Sequence, residues 1–127
     1  MPRRHHHGVS PYEGAYGFSR AVRVGDLIHV AGTAPVPEPG GELVDGAYLQ
    51  MLRCGEIASQ AIRALGGSMP DVVRTRMFIT DPNDADEVGR AHKEIFGESL
   101  PAATMVVVAA LLDPGWVVEI EVEAVVR

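Results

Sequence analysis

The sequence of 127 residues is long enough for one ordinary domain and too short for a multidomain enzyme. Hydrophobic residues make up 46% of the chain and charged residues 22%, which is typical of a soluble globular protein and excludes a disordered or fibrous one. The formal net charge of −6 disfavours a nucleic-acid partner, because a phosphate backbone attracts basic surfaces.

The first third of the chain contains two different patterns. Residues 1–15 show no hydrophobic periodicity, so we expect a flexible N-terminal segment, or one that docks on a neighbour, before a single domain over 16–127. Residues 18–24 and 27–34 are β-type runs separated by Gly25-Asp26, which predicts a hairpin with a two-residue turn. Prolines and glycines then predict a surface loop.

The remaining sequence alternates between helical and β-type patterns. Apolar residues at helical spacing predict a long amphipathic helix over 47–65 and a shorter helix between Asp84 and Gly97. Strands are predicted over 72–80, 104–111 and 117–127. In the first of these strands, one face carries Val73, Thr75, Met77 and Ile79, and the other carries Val72, Arg74, Arg76 and Phe78.

This order of elements predicts an α+β fold of two layers, in which two helices cover one face of a single sheet. The other face of the sheet would stay uncovered, although it carries apolar side chains at Val72, Phe78, Val117 and Val125. Because a large apolar surface is unfavourable in water, we expect the chain to self-associate through this face.

The last predicted strand places the carboxylates of Glu119, Glu121 and Glu123 on one face. In one interpretation this face is solvated and the glutamates only keep it soluble. In the other, one glutamate lies at a partly buried subunit contact, where loss of hydration raises its pKa into the range of a general acid or base. Arg74 and Arg76 share a face of another strand and are equally explained as countercharges.

The histidines and the single cysteine favour structural roles. Three histidines at residues 5–7 lie in a segment without fixed geometry and have no second ligand cluster, so no metal is expected. His29, His92 and Cys54 lie within predicted elements, and no neighbouring base favours a nucleophile. With no disulfide, export signal or membrane-spanning run, a cytoplasmic protein without a membrane partner is expected. No phosphate-binding loop, dinucleotide or zinc-protease motif appears, and no cofactor is expected.

Several short motifs occur in an order that resembles one known family. They are GFSRAV at 17–22, VGDLIHVAGTAP at 24–35, VVRTRMFITD at 72–81, FG at 96–97, PA at 101–102 and VEIE at 118–121. Each motif is weak alone, but their order and spacing from Gly17 to Val126 resemble the Rid family, also called YjgF-like proteins.

The resemblance implies a chorismate-mutase-like fold with a six-stranded mixed sheet and two helices on one face. It also implies a homotrimer with a barrel-like centre and small-molecule clefts between subunits. The family activity it implies is hydrolysis of reactive imines or enamines to a 2-oxo acid and ammonia, without a metal or cofactor. The resemblance carries over Phe18, Ser19, Gly32 and Glu119 as site residues. Together with the neighbouring candidates on the next-to-last strand, we expect Phe18, Ser19, Gly32, Ala103 and Met105 to contact the substrate, and Glu119 and Thr104 to handle water or protons.

The resemblance breaks at Ala103, which stands where imine-hydrolysing members carry the arginine that binds the substrate carboxylate. Loss of such a charge-assisted pair costs about 1.5–3 kcal/mol, which disfavours the archetypal 2-imino acid activity unless Arg20, Arg74 or Arg76 supplies the charge. Phe18 also replaces a tyrosine that many members carry. The leading hypothesis is a Rid-like trimer with an altered substrate range, and the alternative is a non-catalytic trimer that binds a small ligand. An endoribonuclease is disfavoured by the net charge.

Overall fold

The structure of the protein is a computed structural model that describes residues 2–127. The strands in this range are β1 (Arg3–His6), β2 (Ala21–Val24), β3 (Leu27–Thr33), β4 (Val72–Ile79), β5 (Ala102–Val107) and β6 (Val118–Val125). The α-helices are α1 (Tyr12–Tyr16), α2 (Ala47–Ala64) and α3 (Ala85–Phe96), with 3-10 turns at Met69–Asp71 and Pro82–Asp84. None of the helices in this range is long and apolar enough to cross a membrane.

The strands form one mixed sheet of six strands in the order β1-β2-β3-β6-β4-β5. The pair β4 and β5 is parallel, and the other neighbouring pairs are antiparallel. Helices α2 and α3 pack together against one face of the sheet, where the buried side chains of both layers form a single core. The predicted α+β fold, with two helices on one face of a six-stranded mixed sheet, is therefore confirmed.

The predicted hairpin is present as β2 and β3. Val24 pairs with Leu27 across the two-residue turn, and Gly25 has a φ of 60°, which glycine adopts without steric cost. Farther along β3, a β-bulge shifts the register against β6 between Val30 and Thr33. Because a bulge bends the strand and re-aims its backbone groups, this end of β3 departs from regular pairing with β6.

The alternation predicted for β6 is confirmed. Its even-numbered residues from 118 to 124 are buried in the core, whereas the glutamates at 119, 121 and 123 are only partly buried. Because successive side chains of a strand point to opposite faces, the three glutamates lie on the face that α2 and α3 do not cover, called the open face below.

The faces predicted for the start of β4 are wrong. Val72 is buried with 2% exposure and Val73 is 47% exposed, which is the reverse of the predicted assignment. The cause is a β-bulge between Val72 and Arg74, where the extra residue shifts the alternation by one position. Val72 therefore belongs to the core and not to the open face, and Val117, also predicted for the uncovered face, is partly buried and packs against the core. From Arg74 onward the predicted alternation is confirmed, with Thr75 buried and Arg76 partly exposed.

The N-terminal segment contains regular structure that its sequence does not predict. Strand β1 pairs with β2, with His6 opposite Ala21, and α1 follows and ends at Gly17. The expected absence of regular structure is therefore wrong for residues 3–6 and 12–16. The reason is that the ladder hydrogen bonds of β1 come from another strand, which local periodicity cannot reveal. The flexibility of the segment and the domain boundary at residue 16 stay predictions.

Of the side chains for which structural roles are predicted, His92 and Cys54 have contacts that fit such a role, whereas His29 is exposed on β3 and the partnered role predicted for it is not supported. The Nε2 atom of His92 lies 2.7 Å from the hydroxyl of Thr75, its ring contacts Phe96, and burial lowers its pKa. Cys54 is fully buried, with its Sγ 3.9 Å from the carbonyl oxygen of Val118, and burial raises its pKa well above the usual range. Cys54 therefore belongs to the core, whereas His92 is only half-buried beside it.

Candidate functional site

A cleft lies where the bulged end of β3, the start of β6 and the N-terminal segment meet. Its lining includes Tyr12, Phe18, Arg20, Gly32, Trp116 and Glu119. The space that one chain encloses is about 70 Å³, which is less than the roughly 300–1,000 Å³ of sites that enclose drug-sized ligands. One chain by itself therefore encloses a very small molecule, or part of a larger one.

Strand β6 brings Glu119 into this cleft. The carboxyl group lies against the backbone of β3, because a Cβ atom built at Gly32 would be 3.4 Å from the Cδ atom of Glu119. Burial raises the pKa of Glu119 above its ordinary value, while the positive charge of Arg20 opposes the shift and Glu121 adds to it. A carboxyl group with a raised pKa is suited to exchange protons with a bound molecule.

The other two glutamates of β6 are in a different environment. Arg76 lies 3.6 Å from a carboxylate oxygen of Glu121 and 3.2 Å from one of Glu123, and all three side chains are partly exposed on the open face. Arg74 donates a hydrogen bond of 2.9 Å to the hydroxyl of Thr104. In the chain that the structure describes, these two arginines balance or contact their neighbours on the sheet and do not line the cleft.

Arg20, in contrast, is buried in the wall of the cleft with 3% exposure. Its Nε atom donates to Glu13 at 3.2 Å, and its Nη1 atom donates to the hydroxyl of Thr33 at 3.0 Å and to the carbonyl oxygen of Gly32. The guanidinium carbon also lies 5.4 Å from the centre of the Phe18 ring. The side chain of Arg20 is therefore fixed by several partners. The carbonyl group of Gly32, which accepts one of its hydrogen bonds, lies in the bulged part of β3.

Glu13 is a residue of this site that the sequence did not reveal. It is 4% exposed, pairs with Arg20, accepts a hydrogen bond of 3.0 Å from the backbone N–H of Gly8, and lies 3.4 Å from Nδ1 of His7. A buried charge requires a partner, so a buried Arg20 would itself have predicted a nearby carboxylate. The sequence does not show that Arg20 is buried, because its flanking residues do not distinguish the faces of so short a strand.

Aromatic side chains form another wall of the cleft. The ring of Tyr12 lies 5.4 Å from that of Tyr16 and meets the ring of Trp116 edge-on at 6.2 Å. Trp116 belongs to the loop between β5 and β6, which begins after Val107 and not after residue 111 as predicted. Buried Gln50 holds this loop, because its side-chain amide donates to the carbonyl of Gly115 and accepts from the N–H of Val117.

The structure brings together some of the predicted site residues and not others. Phe18, Gly32 and Glu119 all line the cleft. Ser19 does not, and its hydroxyl lies 2.9 Å from Nδ1 of His5. The remaining predicted residues, Ala103, Thr104 and Met105, lie on β5 at the far edge of the sheet and do not line the cleft within one chain. Their part in the site stays a prediction. Among residues 2–127, no group of three His, Cys, Asp or Glu side chains is arranged to bind a metal ion.

Comparison with known proteins identifies relatives of this chain. The chain matches the family model described as Endoribonuclease L-PSP over residues 10–126. It is 39% identical over 118 residues to an uncharacterized protein of Streptomyces coelicolor, which covers 91% of this chain and 86% of that protein. It is 32% identical over 118 residues to a human protein named 2-iminobutanoate/2-iminopropanoate deaminase, with coverage of 88% and 82%.

Solved structures show the same architecture. Rv2704 from Mycobacterium tuberculosis, described as a member of the YjgF/YER057c/UK114 family, aligns with a TM-score of 0.89 and 39% identity, covering 98% of this chain and 100% of that chain. RidA from the Antarctic bacterium Psychrobacter aligns with a TM-score of 0.80 and 32% identity, covering 87% and 89%. The family match extends over every cleft residue from Tyr12 to Glu119.

Proposed function

The chain belongs to the Rid family of YjgF-like proteins, and from this premise we propose that it acts on a small reactive metabolite of the imine, enamine or carbonyl type, in clefts between the subunits of a homotrimer. The observation that carries the proposal is the carboxyl group of Glu119, which has a raised pKa in a cleft lined by aromatic side chains and Arg20. The names of the human and mouse relatives, 2-iminobutanoate/2-iminopropanoate deaminase, support the choice of an imine.

In the proposed reaction, Glu119 acts as a general base and then as a general acid. The oxygen of a water molecule bonds to the carbon of a protonated imine while Glu119 accepts a proton from that water, and the π electrons of the C=N bond move to nitrogen. Glu119 then returns the proton to nitrogen, the C–N bond breaks and ammonia leaves. The hydroxyl group loses its proton to Glu119 as the carbonyl double bond forms, and Glu119 passes this proton to ammonia or solvent.

The exposed surface of β5 supports assembly from several copies. Val106 and Val107 are 41% and 54% exposed on an edge strand, and Leu100, just before this strand, is 83% exposed. An apolar edge strand of this kind is a surface that a partner normally covers. A neighbouring copy at this surface would also bring Ala103, Thr104 and Met105 towards a cleft that one chain leaves incomplete.

The proposal is tested by generating short-lived imino acids in situ with an amino-acid oxidase, with semicarbazide as the competing trap. We expect the natural chain to speed formation of the 2-oxo acid, and Glu119→Gln to lower its rate by about 100-fold or more, because the amide cannot accept the proton of water. Glu123→Gln, which changes a glutamate paired with Arg76 on the open face, is the matched control and should retain the rate.

Two results would overturn this proposal in different ways. Full turnover by Glu119→Gln would remove the mechanism. Saturable binding of a metabolite without turnover by the natural chain would instead favour the non-catalytic trimer, which the alanine at position 103 supports. Turnover by Ala103→Arg alone would assign the loss of imino-acid chemistry to that position. The ribonuclease activity in the name of the matched family model is not proposed, because the net charge of −6 disfavours RNA binding.

A further inference from the structure

The guanidinium group of Arg20 has one nitrogen that its protein partners leave unused. Nε is bonded to Glu13, and Nη1 is bonded to Thr33 and Gly32, but no hydrogen bond among residues 2–127 uses Nη2. In the same range, no buried side-chain nitrogen or oxygen lacks a hydrogen-bond partner. Nη2 is therefore not one of the buried atoms. Because Arg20 is 3% exposed and lines the cleft, its accessible part faces that cleft.

We propose that Arg20 is the anion-binding residue of the cleft and that the ligand is a small carboxylate with an apolar or aromatic remainder. The inference rests on the proposed function and specifies the chemical class of the substrate. A guanidinium nitrogen that carries two N–H groups can donate a charge-assisted hydrogen bond to a carboxylate oxygen. Arg20 would thereby take over the role of the arginine that Ala103 replaces, from a different place in the fold.

The partners of Arg20 hold it in a fixed orientation. Glu13 approaches from the Nε side, and its two oxygens also accept hydrogen bonds of 3.0 and 3.3 Å from the N–H of Gly8. Glu13 therefore neutralises much of the cost of burying the guanidinium group without occupying Nη2. An orientation that is set before the ligand arrives reduces the entropy lost on binding.

The other charged groups in the cleft are compatible with an anionic ligand. Glu119 is a further carboxyl group in the wall; it lies against the backbone of β3 at Gly32, and burial raises its pKa while Arg20 lowers it. Within residues 2–127, Arg74 and Arg76 do not line the cleft and contact Thr104, Glu121 and Glu123 instead. Arg20 is thus the arginine that the structure places in the cleft wall.

The aromatic side chains specify the remainder of the ligand. Tyr12 and Trp116 lie on one wall of the cleft and Phe18 lies beside Arg20. Rings of this kind bind an apolar or planar group through contact area and offset stacking. A ligand whose carboxylate binds Arg20 and whose apolar group contacts these rings would be held at both ends.

The experiment compares carboxylic acids with their uncharged primary amides, using butanoate with butanamide and phenylacetate with phenylacetamide. These compounds are not hydrolysed as imines, so binding is measured independently of turnover. Trp116 is the one tryptophan of the chain and lines the cleft, so its fluorescence reports binding directly. We expect the natural chain to bind the acid at least about tenfold more tightly than the amide, as one charge-assisted hydrogen bond requires.

Variants test whether Arg20 is responsible. The double variant Glu13→Gln/Arg20→Gln removes both charges of the buried pair, so neither charge is left unpaired, and it should bind acid and amide equally. Arg20→Lys keeps the positive charge beside Glu13 but has no second nitrogen to donate to a carboxylate. It should therefore also lose the preference for the acid over the amide. Arg63→Gln, on the exposed end of α2, is the control and should retain the preference. Circular dichroism verifies that each variant is folded.

The outcomes separate this inference from the proposed function. Equal binding of acid and amide by the natural chain, or a tenfold preference retained by a folded Arg20 variant, would overturn the role of Arg20 while leaving a ligand-binding cleft. Failure of the natural chain to bind any of the four compounds would overturn the small-carboxylate site, whereas the proposed function would still be decided by the rate of 2-oxo acid formation.

Discussion

Three charged side chains lie in the cleft or behind its wall, and each depends on a different neighbour. Glu13 and Arg20 compensate each other in a buried pair, whereas Glu119 lies against β3 at Gly32 and forms no ion pair with any other residue between 2 and 127. The alternation of β6 placed three glutamates on one face, and the resemblance to the family pointed to Glu119 among them, whose role in the site stays a prediction. Glu13 could not be recognised from the sequence, because the contact that buries it joins two segments with unrelated local patterns.

The raised pKa of Glu119 predicts a change of stability with pH. Because the folded-state pKa lies above the ordinary value of 4.5, the contribution of this group is fully present below that value and is lost as the pH rises through the folded-state pKa. Glutamine is uncharged at every pH. The free energy of unfolding of the natural chain should therefore fall relative to that of Glu119→Gln as the pH rises.

Urea unfolding of both proteins from about pH 4 to about pH 8 measures this difference. Glu98→Gln, which changes an exposed glutamate after α3, is the matched control for loss of one negative charge. A stability difference between natural chain and Glu119→Gln that stays constant across the range would contradict the prediction.

The packing of α2 on α3 depends on a glycine. A Cβ atom at Gly55 would lie 2.6 Å from Cδ1 of Ile95, so the two helices approach closely at this point. Gly55→Ala should lower the free energy of unfolding by about 1–3 kcal/mol, because the added methyl group forces the side chain of Ile95 or the helices to move. Gly89→Ala, where nothing lies within 4 Å of the added carbon, should instead raise it by up to about 1 kcal/mol through helix propensity.

Thermal or urea unfolding of the two variants measures these opposite effects. Combining Gly55→Ala with Ile95→Val should recover part of the lost stability, since the shorter side chain frees space for the methyl group. Equal stabilisation by both glycine replacements would show that the helices separate at no cost and that the close approach is unimportant.

Strand patterns were predictable where the pairing is regular and wrong where it is not. The faces of β6 follow from alternation alone, because each residue in turn is directed to the core or to the open face. The start of β4 does not follow regular alternation, since the bulge before Arg74 moves Val72 into the core. Whether a strand has a bulge depends on its partner strand, and the sequence of one strand does not contain that information.

The whole molecule presents its apolar edge strand β5 to solvent, which predicts self-association. Sedimentation or light scattering should give a mass three times the 13.6 kDa of one chain. Val106→Glu places a charge on the exposed edge strand and should shift the mass to that of a monomer, because burying an unpaired charge is costly. Leu49→Glu, on α2 with 48% exposure, should keep the trimer mass. A natural chain that sediments as a monomer would contradict the prediction.

By itself the sequence determined the fold class, the hairpin, both long helices, the faces of β6 and the family, because these follow from periodicity and from the order of short motifs along the chain. The tertiary structure alone decided the pairing of Glu13 with Arg20, the docking of residues 3–16 and the position of Trp116 beside Tyr12. The pairing of β1 with β2 and the contact of Tyr12 with Trp116 join residues far apart in sequence, whereas Glu13 and Arg20 are only seven positions apart but belong to different parts of the fold. Each contact depends on burial, which only the assembled layers of helix and sheet create.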